Sequence, residues 1–463
     1  MKFTQYYLDC LSHASYLIGD ETTGRAVVVD PRRDVQVYLD DAAAAGLRIE
    51  LVIETHFHAD FLSGHLELAQ ATGAEIAYGE AAKTEFPVRP LADGETIPLG
   101  EITLKVLATP GHTPESISVL VYEHAGDEVP YGVLTGDTLF IGDVGRPDLL
   151  GSLGFTAEEM GRKLYNSLHT QLMPLPDATR VFPAHGAGSS CGKQLSTETV
   201  STLGEQRHAN YALATMTEDE FVAIVTDGQP SQPEYFVYDA VLNRKQRPLL
   251  DQSDPLPQLT LDEALAAQAE GVVLLDTRDA GEYGAGHLPG SVWVGLDGRF
   301  AEQAGSVVAH DATIVLVSEP GTEDEARVRL ARIGFDNVRG FLADPLAAIA
   351  AQPDKATHSS RVTAEQLDRL REEVNGLVVL DVRNPGETAL GTVEGAVLMP
   401  LAKLNGRMGE LDTTAPVVVV CASGRRSLSA ASLLSKAGFG DVSDLLGGYT
   451  GYVASTRSAA AAG

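Results

Sequence analysis

Short apolar runs alternate with turn-forming residues along the first half of the chain. The runs include RAVVVDP (25–31), LVIETH (51–56), ITLKVLATPGH (102–112), YGVLTGD (131–137) and RVFPAHG (180–186). Runs of this length, rich in Val and Ile and bounded by Gly, Pro or Asp, are typical of strands. Between them the pattern predicts helices over residues 34–45 and 63–72.

A diverged repeat occupies the second half of the chain. Residues 259–292 align with residues 362–397, and residues 312–341 align with residues 415–448. Each copy contains a strand that ends in Asp-x-Arg, followed later by a strand, a tight loop, a helix and a Gly-Phe step. This order is a βαβ pattern, so the repeat predicts two parallel-sheet α/β domains.

The length of the chain, 463 residues and 49.0 kDa, is too great for one hydrophobic core. We expect a mixed domain over residues 1–230 and α/β domains over residues 259–352 and 360–458. Residues 231–258 are rich in proline and polar side chains, which predicts a linker.

The charge balance narrows the classes of partner. Lys and Arg total 34 and Asp and Glu total 64, which gives a formal charge of −30. Such a field repels nucleic acid and anionic membranes, so small-molecule partners are expected. The chain has 3 cysteines and no apolar run of membrane-spanning length, which predicts a cytoplasmic protein with individually placed thiols.

Polar side chains follow four of the predicted strands, at the point where each strand ends. They are His56, His58, Asp60, His112, Asp137 and His185. Neutral imidazoles and a carboxylate suit borderline divalent metals, and two histidines with one carboxylate leave positions open for reactants. The alternative is that these are unrelated polar residues at strand ends. Six such residues at strand-to-loop steps favour a metal site.

The motifs THFHAD, TPGHTPES, TGDTLF and GRPD resemble the metallo-β-lactamase fold, and within it the persulfide dioxygenase branch. The resemblance implies an αββα sandwich and one Fe(II) per chain, held by His56, His112 and Asp137. His58, Asp60 and His185 then belong to the surroundings of the metal. Arg146 matches the arginine that binds the substrate anion, although an ordinary surface salt bridge explains it equally well.

Phe61 stands where dinuclear relatives such as glyoxalase II hydrolases carry a histidine for the second metal. A phenyl ring has no lone pair to donate, so a second zinc would lose a ligand. One metal therefore fits better than two. The alternative is that Phe61 only caps the following helix and that His65 is the relevant residue.

Cys421 lies directly after an apolar strand in PVVVVCASGRRS (416–427). A loop over Cys421–Arg426 can direct amide groups at the sulfur, and the following helix with Arg425 and Arg426 adds positive potential that favours the thiolate. The segment resembles the rhodanese active loop, which implies a doubly wound α/β domain and a nucleophile that carries sulfur as a persulfide. The first repeat has Ser318 at this position, which predicts a fold without sulfurtransferase activity.

Cys191 follows His185 by six residues in a glycine-rich loop. It is either a thiol close to the metal pocket, acting in substrate binding or as a relay, or a buried small residue at a helix start.

The resemblances together imply a function in sulfide detoxification. A low-molecular-weight persulfide, of glutathione or coenzyme A, reacts with O₂ to give sulfite, and the rhodanese combines sulfite with persulfide sulfur as thiosulfate. A homo-oligomer is expected. Two alternatives remain open: a dinuclear zinc thioesterase of the glyoxalase II type fused to a sulfurtransferase, and a non-enzymatic persulfide sensor.

Overall fold

The computed structural model describes residues 1–149, 151 and 154–462, with side chains to residue 455. The chain forms two compact units. The first contains Met1–Pro230 and Phe236–Asp251, and the second contains Ser231–Tyr235 and the residues from Gln252 onward.

The first unit is an αββα sandwich. Its strands are β1 Lys2–Leu8, β2 His13–Asp20, β3 Arg25–Val29, β4 Arg48–Ile53, β5 Glu75–Gly79, β6 Arg89–Leu91, β7 Thr96–Leu99, β8 Ile102–Ala108, β9 Ile117–Tyr122, β10 Gly132–Gly136, β11 Arg180–Pro183 and β12 Ser201–Thr202. Its helices are α1 Gln36–Ala44, α2 His65–Thr72, α3 Ala157–Ser167, α4 Leu203–Ala209, α5 Glu218–Thr226 and most of α6 Tyr235–Leu242, with a π-helical turn at Leu168–Leu172 and a 3-10 turn at Tyr211–Leu213. The strand orders are β1-β2-β3-β4-β5-β6 and β12-β11-β10-β9-β8-β7.

Apolar side chains from both sheets form the central core of this unit. The outer face of the first sheet packs on α1 and α2, and that of the second packs on α3, α4 and α5. Burial along β8 alternates, as expected for a strand, and β3 is buried almost throughout because both its faces are covered. The predicted helices over 34–45 and 63–72 correspond to α1 and α2.

Three strands of the second sheet bring their C-terminal ends to one edge. β8 and β10 both run antiparallel to β9, and β11 runs parallel to β10. The loops that carry His112, Asp137 and His185 follow these strands and therefore meet.

The second unit contains two five-stranded parallel sheets of identical order, β13-β17-β16-β14-β15 and β18-β22-β21-β19-β20. The strands are β13 Gln258–Leu259, β14 Val273–Asp276, β15 Val292–Trp293, β16 Ile314–Val317, β17 Val338–Leu342, β18 Ser360–Val362, β19 Val378–Asp381, β20 Val397–Leu398, β21 Val417–Val420 and β22 Val442–Leu445. The helices are α7 Leu261–Ala269, α8 Ala280–Ala285, α9 Phe300–Val307, α10 Glu323–Ala331, α11 Pro345–Ala351, α12 Ala364–Glu373, α13 Pro385–Thr388, α14 Leu401–Arg407, α15 Arg425–Lys436 and α16 Gly448–Ala462, with 3-10 turns at Pro353–Lys355 and Met408–Glu410.

The duplication is also visible at the first helix of each copy. Thr260 and Glu263 form a capping box at α7, and Thr363 and Gln366 form one at α12. Each pair satisfies backbone N–H groups that a helix start leaves without partners. The predicted α/β class and the parallel sheets of the repeat are confirmed.

Residues 231–258, which the sequence predicts as a linker, are packed against the first unit only in part, and residues 251–255 are exposed. They contain α6, and Asn243 donates from Nδ2 to the backbone oxygens of His58 (2.8 Å) and Phe61 (2.9 Å). Arg247 forms a buried ion pair with Glu67 at 2.6 Å. Composition indicated a free segment, but these long-range contacts attach residues 236–251 to the first unit.

Among the residues that the structure describes, no helix has the length and apolar character needed to cross a bilayer.

Candidate metal centre and cysteine loop

The loop after β4 carries the first group of site residues. Leu51, Val52 and Ile53 end the strand inside the core, and His56, His58 and Asp60 follow within a buried loop. Such a loop needs hydrogen bonds for its backbone, and Asn243 and Asp30 supply several of them.

His56, His112 and Asp137 converge from three separate loops. His56 Nε2 lies 3.8 Å from Asp137 Oδ2, and His112 Nε2 lies 3.4 Å from the same oxygen. The side chains of all three are buried, with an exposed fraction of 1% or less. The structure thus brings together the three residues for which a metal was predicted.

Neighbouring groups direct one nitrogen of each imidazole at this point. His112 Nδ1 donates to the backbone oxygen of Arg146 at 2.9 Å. His56 Nδ1 lies 3.0 Å from Thr55 Oγ1, which itself donates to Asp30. Thr55 Oγ1 therefore accepts from His56 Nδ1, and both histidines present the lone pair of Nε2 to the site.

This donor set fits a metal ion. Ligand distances of about 2.0–2.2 Å place neighbouring donor atoms roughly 3–3.5 Å apart, close to the observed separations. Among the described residues, His56 Nε2 and Asp137 Oδ2 have no hydrogen-bond partner. Buried polar atoms are normally satisfied, so an ion explains the orphaned pair.

The electrostatics keep the three residues in the protonation states that a metal requires. Burial lowers the pKa of His56 and of His112, so both stay neutral near neutral pH. Burial opposes ionisation of Asp137, but the imidazoles of His185 and His56 outweigh it and hold the pKa of Asp137 well below its usual value.

His58, Asp60 and His185 form a second cluster beside the first. His185 Nδ1 donates to Asp137 Oδ1 at 2.7 Å, and its Nε2 lies 2.8 Å from Asp60 Oδ2. Burial lowers the pKa of His185, but the carboxylates of Asp137 and Asp60 outweigh it and raise the pKa well above its usual value. The Nδ1–H of His185 holds Asp137 in place through Oδ1.

Phe61 is fully buried beside the second cluster. Its ring centroid lies 4.4 Å from that of His58 and 4.0 Å from that of His13. The phenyl ring therefore occupies space next to the second cluster without offering a ligand.

His13 is a site residue that the sequence analysis missed. It is completely buried, its ring lies 5.7 Å from that of His185, and among the described residues neither ring nitrogen has a hydrogen-bond partner. Burial, with the imidazoles of His185 and His58, lowers the pKa of His13 well below its usual value. A single histidine at the start of β2 carries no spacing signal that points to the site.

A third group of carboxyls and imidazoles lies on the outer side of His58. His58 Nε2 is 3.1 Å from Asp30 Oδ1 and 3.6 Å from Glu54 Oε2, and His65 Nδ1 is 3.4 Å from Glu54 Oε1. Burial and then Asp30 raise the pKa of Glu54 well above its usual value. These residues were missed because the sequence separates Asp30 from the metal motif, although its position after β3 is also a strand end.

Arg146 is buried, and its guanidinium forms hydrogen bonds within the chain. Its guanidinium pairs with Asp148 at 2.6 Å and 2.7 Å and donates to the backbone oxygens of Ser190 and Pro230. It is therefore not a surface salt bridge. Its backbone oxygen, which accepts from His112, links it directly to the candidate metal centre.

Cys191 is buried, with a sulfur that lies within 4.8 Å of donor atoms of Asp137 and His185. Burial, followed by the charges of Asp60 and Asp137, raises the pKa of its thiol well above the usual value. Cys191 is therefore a buried thiol beside the pocket, but it does not stand at a helix start, because the next helix, α4, begins at Leu203.

Cys421 lies in the second repeat, directly after β21. The backbone N–H of Gly424 donates to its Sγ at 3.1 Å, and Sγ lies 3.4 Å from Ser427 Oγ. Helix α15 begins at Arg425, so the loop is shorter than the Cys421–Arg426 segment predicted, and both arginines belong to the first helical turn. Gly424 adopts φ +99°, a conformation that glycine allows, which turns its N–H toward the sulfur.

Both arginines after the loop form ion pairs. Arg426 pairs with Glu387 at 2.6 Å and 2.8 Å inside its own fold, and Arg425 pairs with Asp297 of the first repeat. Their positive charge near Cys421 is therefore partly compensated, which the sequence did not indicate because the carboxylates are remote along the chain.

In the corresponding loop of the first repeat, groups that could face an anion form hydrogen bonds within the chain. Ser318 is buried and lies 2.7 Å from Thr277 through their hydroxyl oxygens. The Gly321 N–H, which could face an anion, donates to Glu323 Oε2 at 2.7 Å. That this copy does not transfer sulfur stays a prediction.

Comparison with known proteins supports the division of the chain. Residues 8–185 match the metallo-beta-lactamase superfamily, and residues 260–341 and 363–455 each match the rhodanese-like domain. Among curated relatives, human mitochondrial persulfide dioxygenase ETHE1 is 28% identical over 237 residues, which is 50% of this chain and 83% of the relative. A probable metallo-hydrolase of Burkholderia pseudomallei is 30% identical over 248 residues, which is 46% of this chain and 81% of the relative.

A solved structure covers more of the chain. The crystal structure of a metallo-beta-lactamase from Staphylococcus aureus is 35% identical, with a TM-score of 0.67, and the match covers 74% of this chain and 99% of that one. Together with the two clusters at the strand ends and the duplicated parallel sheets, these matches show that the chain belongs to the metallo-beta-lactamase superfamily, and that two rhodanese-like domains follow its metallo-beta-lactamase domain.

Proposed function

We propose that the first domain is a persulfide dioxygenase and that the second rhodanese-like domain is a sulfurtransferase. The first reaction consumes a low-molecular-weight persulfide, O₂ and water, and yields a thiol, sulfite and protons. The observation that carries the proposal is the convergence of His56, His112 and Asp137 at one buried point, where His56 Nε2 and Asp137 Oδ2 have no hydrogen-bond partner among the described residues.

A ferrous ion held by these three residues would supply adjacent open positions for a persulfide anion and dioxygen. The remaining residues prepare this site. His185 holds Asp137 through Oδ1, the backbone of Arg146 fixes the His112 ring, and Phe61 keeps the neighbouring pocket free of a further ligand. The likeness to human persulfide dioxygenase supports this assignment.

We assign Arg146 and Cys191 to the substrate side of the site. The guanidinium of Arg146 already forms four hydrogen bonds within the chain, so it acts mainly by holding the loop beside His112. Cys191 lies next to Asp137 and His185, where a bound persulfide would contact it as a neutral thiol.

The sulfurtransferase step uses Cys421. With a persulfide on this cysteine, sulfite attacks the outer sulfur, the S–S bond to the cysteine breaks, and thiosulfate leaves with the cysteine as thiolate. The Gly424 N–H, 3.1 Å from Cys421 Sγ, and the start of α15 stabilise negative charge on sulfur, both in the cysteine persulfide and in the thiolate that the reaction leaves. Arg426, oriented by Glu387, adds positive charge within the same fold.

Metal content and oxygen uptake test the first proposal. Protein loaded with iron without oxygen should hold one equivalent of Fe(II) and consume O₂ with glutathione persulfide or coenzyme A persulfide. His112→Ala should lose most of the iron and the O₂ uptake, because it removes one of three ligands. Retention of iron at full occupancy in this variant would contradict the ligand set, and its fold is checked by circular dichroism.

A dinuclear zinc thioesterase is the second candidate. The second cluster of His58, Asp60 and His185, and the likeness to a probable metallo-hydrolase, favour it. This candidate predicts two zinc ions per chain and cleavage of thioesters without O₂ uptake. A non-enzymatic persulfide sensor is distinguished from both by the absence of turnover.

A further inference from the structure

Helix α15 connects the cysteine loop to the first rhodanese-like fold. The helix begins at Arg425, directly after the loop that holds Cys421, and packs against β15 and α9 of the first fold. Arg425, Leu428 and Ser432 are spaced by three and four residues, so they lie on one face of the helix. All three contact the first fold.

The contacts run along the whole of that face. Both terminal nitrogens of Arg425 contact the two carboxylate oxygens of Asp297, which follows β15. Leu428 packs with Trp293 and Tyr283 in a buried apolar cluster. Ser432 Oγ accepts from the backbone N–H of Trp293 at 2.9 Å.

The two copies of the repeat differ in the exposure of the strand end that α15 contacts in the first copy. Trp293 of β15 is covered to 1% exposure by the contact with α15. Leu398, at the corresponding position of β20, is 46% exposed. Asp297 has Ala402 as its counterpart in the second copy. The cysteine-free copy therefore has a strand end that receives the helix of the second copy.

Arg425 also differs from Arg426 in the direction of its side chain. Arg426 stays within its own fold, on Glu387. Arg425 extends into a cavity of about 400 Å³ in the first fold, which Trp293, Asp297 and Glu319 help to line. The guanidinium of Arg425 therefore forms its ion pair across the contact between the two folds.

We propose that the cysteine-free rhodanese-like fold positions the catalytic loop of the second one by holding α15, with Asp297 as a positioning residue that acts through Arg425. This proposal rests on the proposed sulfur transfer at Cys421. The Gly424 N–H that faces Cys421 Sγ immediately precedes Arg425, so a tilt of the first helical turn moves this donor away from the sulfur. A hydrogen bond of this kind weakens steeply as its geometry departs from linear.

Asp297→Asn removes the ion pair while preserving the size of the side chain. Sulfur transfer from thiosulfate to cyanide should show a kcat about two- to fivefold lower, as expected for a partly exposed pair, with KM for thiosulfate nearly unchanged. The rate of Cys421 alkylation by iodoacetamide at fixed pH should fall in parallel. Asp297→Glu keeps the carboxylate and should restore most of both rates.

Asp324→Asn is the matched control. Asp324 lies in the same fold, pairs with Arg327 at 3.1 Å, and has a side-chain exposure of 70%, against 71% for Asp297. Equal rates in Asp297→Asn and Asp324→Asn would overturn the proposal, as would a change confined to KM, which would make Arg425 a binding group for thiosulfate. Alkylation does not require sulfur transfer, so an inactive wild type that alkylates normally would refute the proposed function and still leave positioning measurable.

Discussion

Phe61 is the residue on which the proposed single-metal site depends most. Its ring packs against His58 and His13 and offers no lone pair to the second cluster, and His185 of that cluster lies between the carboxylates of Asp137 and Asp60. While His185 is engaged by both carboxylates, His58 and Asp60 are the side chains left to the second cluster, and a divalent ion normally takes three or more protein ligands.

Phe61→His should therefore change the metal content. The new imidazole lies beside His58 and gives the second cluster a third ligand, so zinc bound per chain should rise from one equivalent toward two. Elemental analysis of protein refilled with zinc measures the change. Phe61→Leu keeps the site apolar and should remain at one equivalent. A histidine variant that is folded and still binds one zinc would contradict the role assigned to Phe61.

At the scale of elements, α2 attaches residues 236–251 to the rest of the first unit. Glu67 of α2 pairs with Arg33 at 2.9 Å and with Arg247 at 2.6 Å, and the side chains of all three are at most 5% exposed. Burial raises the pKa of Glu67, but the two guanidinium groups outweigh it and hold the pKa below the model-compound value of 4.5.

Glu67→Gln should destabilise the first unit by about 3–5 kcal/mol, because it leaves two buried guanidinium groups without a carboxylate. Denaturant unfolding of the full chain, followed by far-UV circular dichroism, measures this loss in the free energy of unfolding. The folded pKa of Glu67 is depressed, so its contribution is present above pH 4.5 and is lost as the pH falls through the folded pKa. The difference between wild type and variant should accordingly narrow in acid.

Glu75→Gln provides the comparison on the neighbouring strand. Glu75 is 59% exposed and lies 3.9 Å from Arg89, so its replacement should change the free energy of unfolding by less than about 0.5 kcal/mol. Equal effects of the two substitutions would show that burial of the Glu67 pairs does not stabilise the unit.

At the scale of the whole molecule, the residues of the two proposed chemistries belong to different compact units. The metal clusters draw only on residues of the first unit, and the Cys421 loop draws only on the second. Under the proposed function, sulfite is the compound that passes from one chemistry to the other.

Cys421→Ser should separate the two activities. A serine hydroxyl is hardly ionised at neutral pH, so thiosulfate formation should fall below detection while O₂ uptake and sulfite release continue. Ion chromatography of the products, recorded together with an oxygen electrode, measures both. Loss of O₂ uptake in this variant would refute separable sites, and Cys10→Ser, at another buried cysteine, serves as the control.

Much of this protein is determined locally in its sequence. Each candidate ligand follows an apolar run, so the sequence predicted one metal site from His56, His58, Asp60, His112, Asp137 and His185. The resemblance to the metallo-β-lactamase fold then implied His56, His112 and Asp137 as the ligand set. The duplicated order of strands, loops and helices likewise predicted two parallel sheets, because a βαβ connection constrains its strands to run in the same direction.

The tertiary structure alone decided the partners of these residues. His185 hydrogen-bonds to Asp137 and lies beside Asp60. Residues 236–251 pack on the first unit through Glu67 and the loop after β4. The side chain of Arg425 is directed by Asp297. In each case the partner is remote along the chain. Burial and charge act through space, so only the folded chain shows which carboxylate faces which cation.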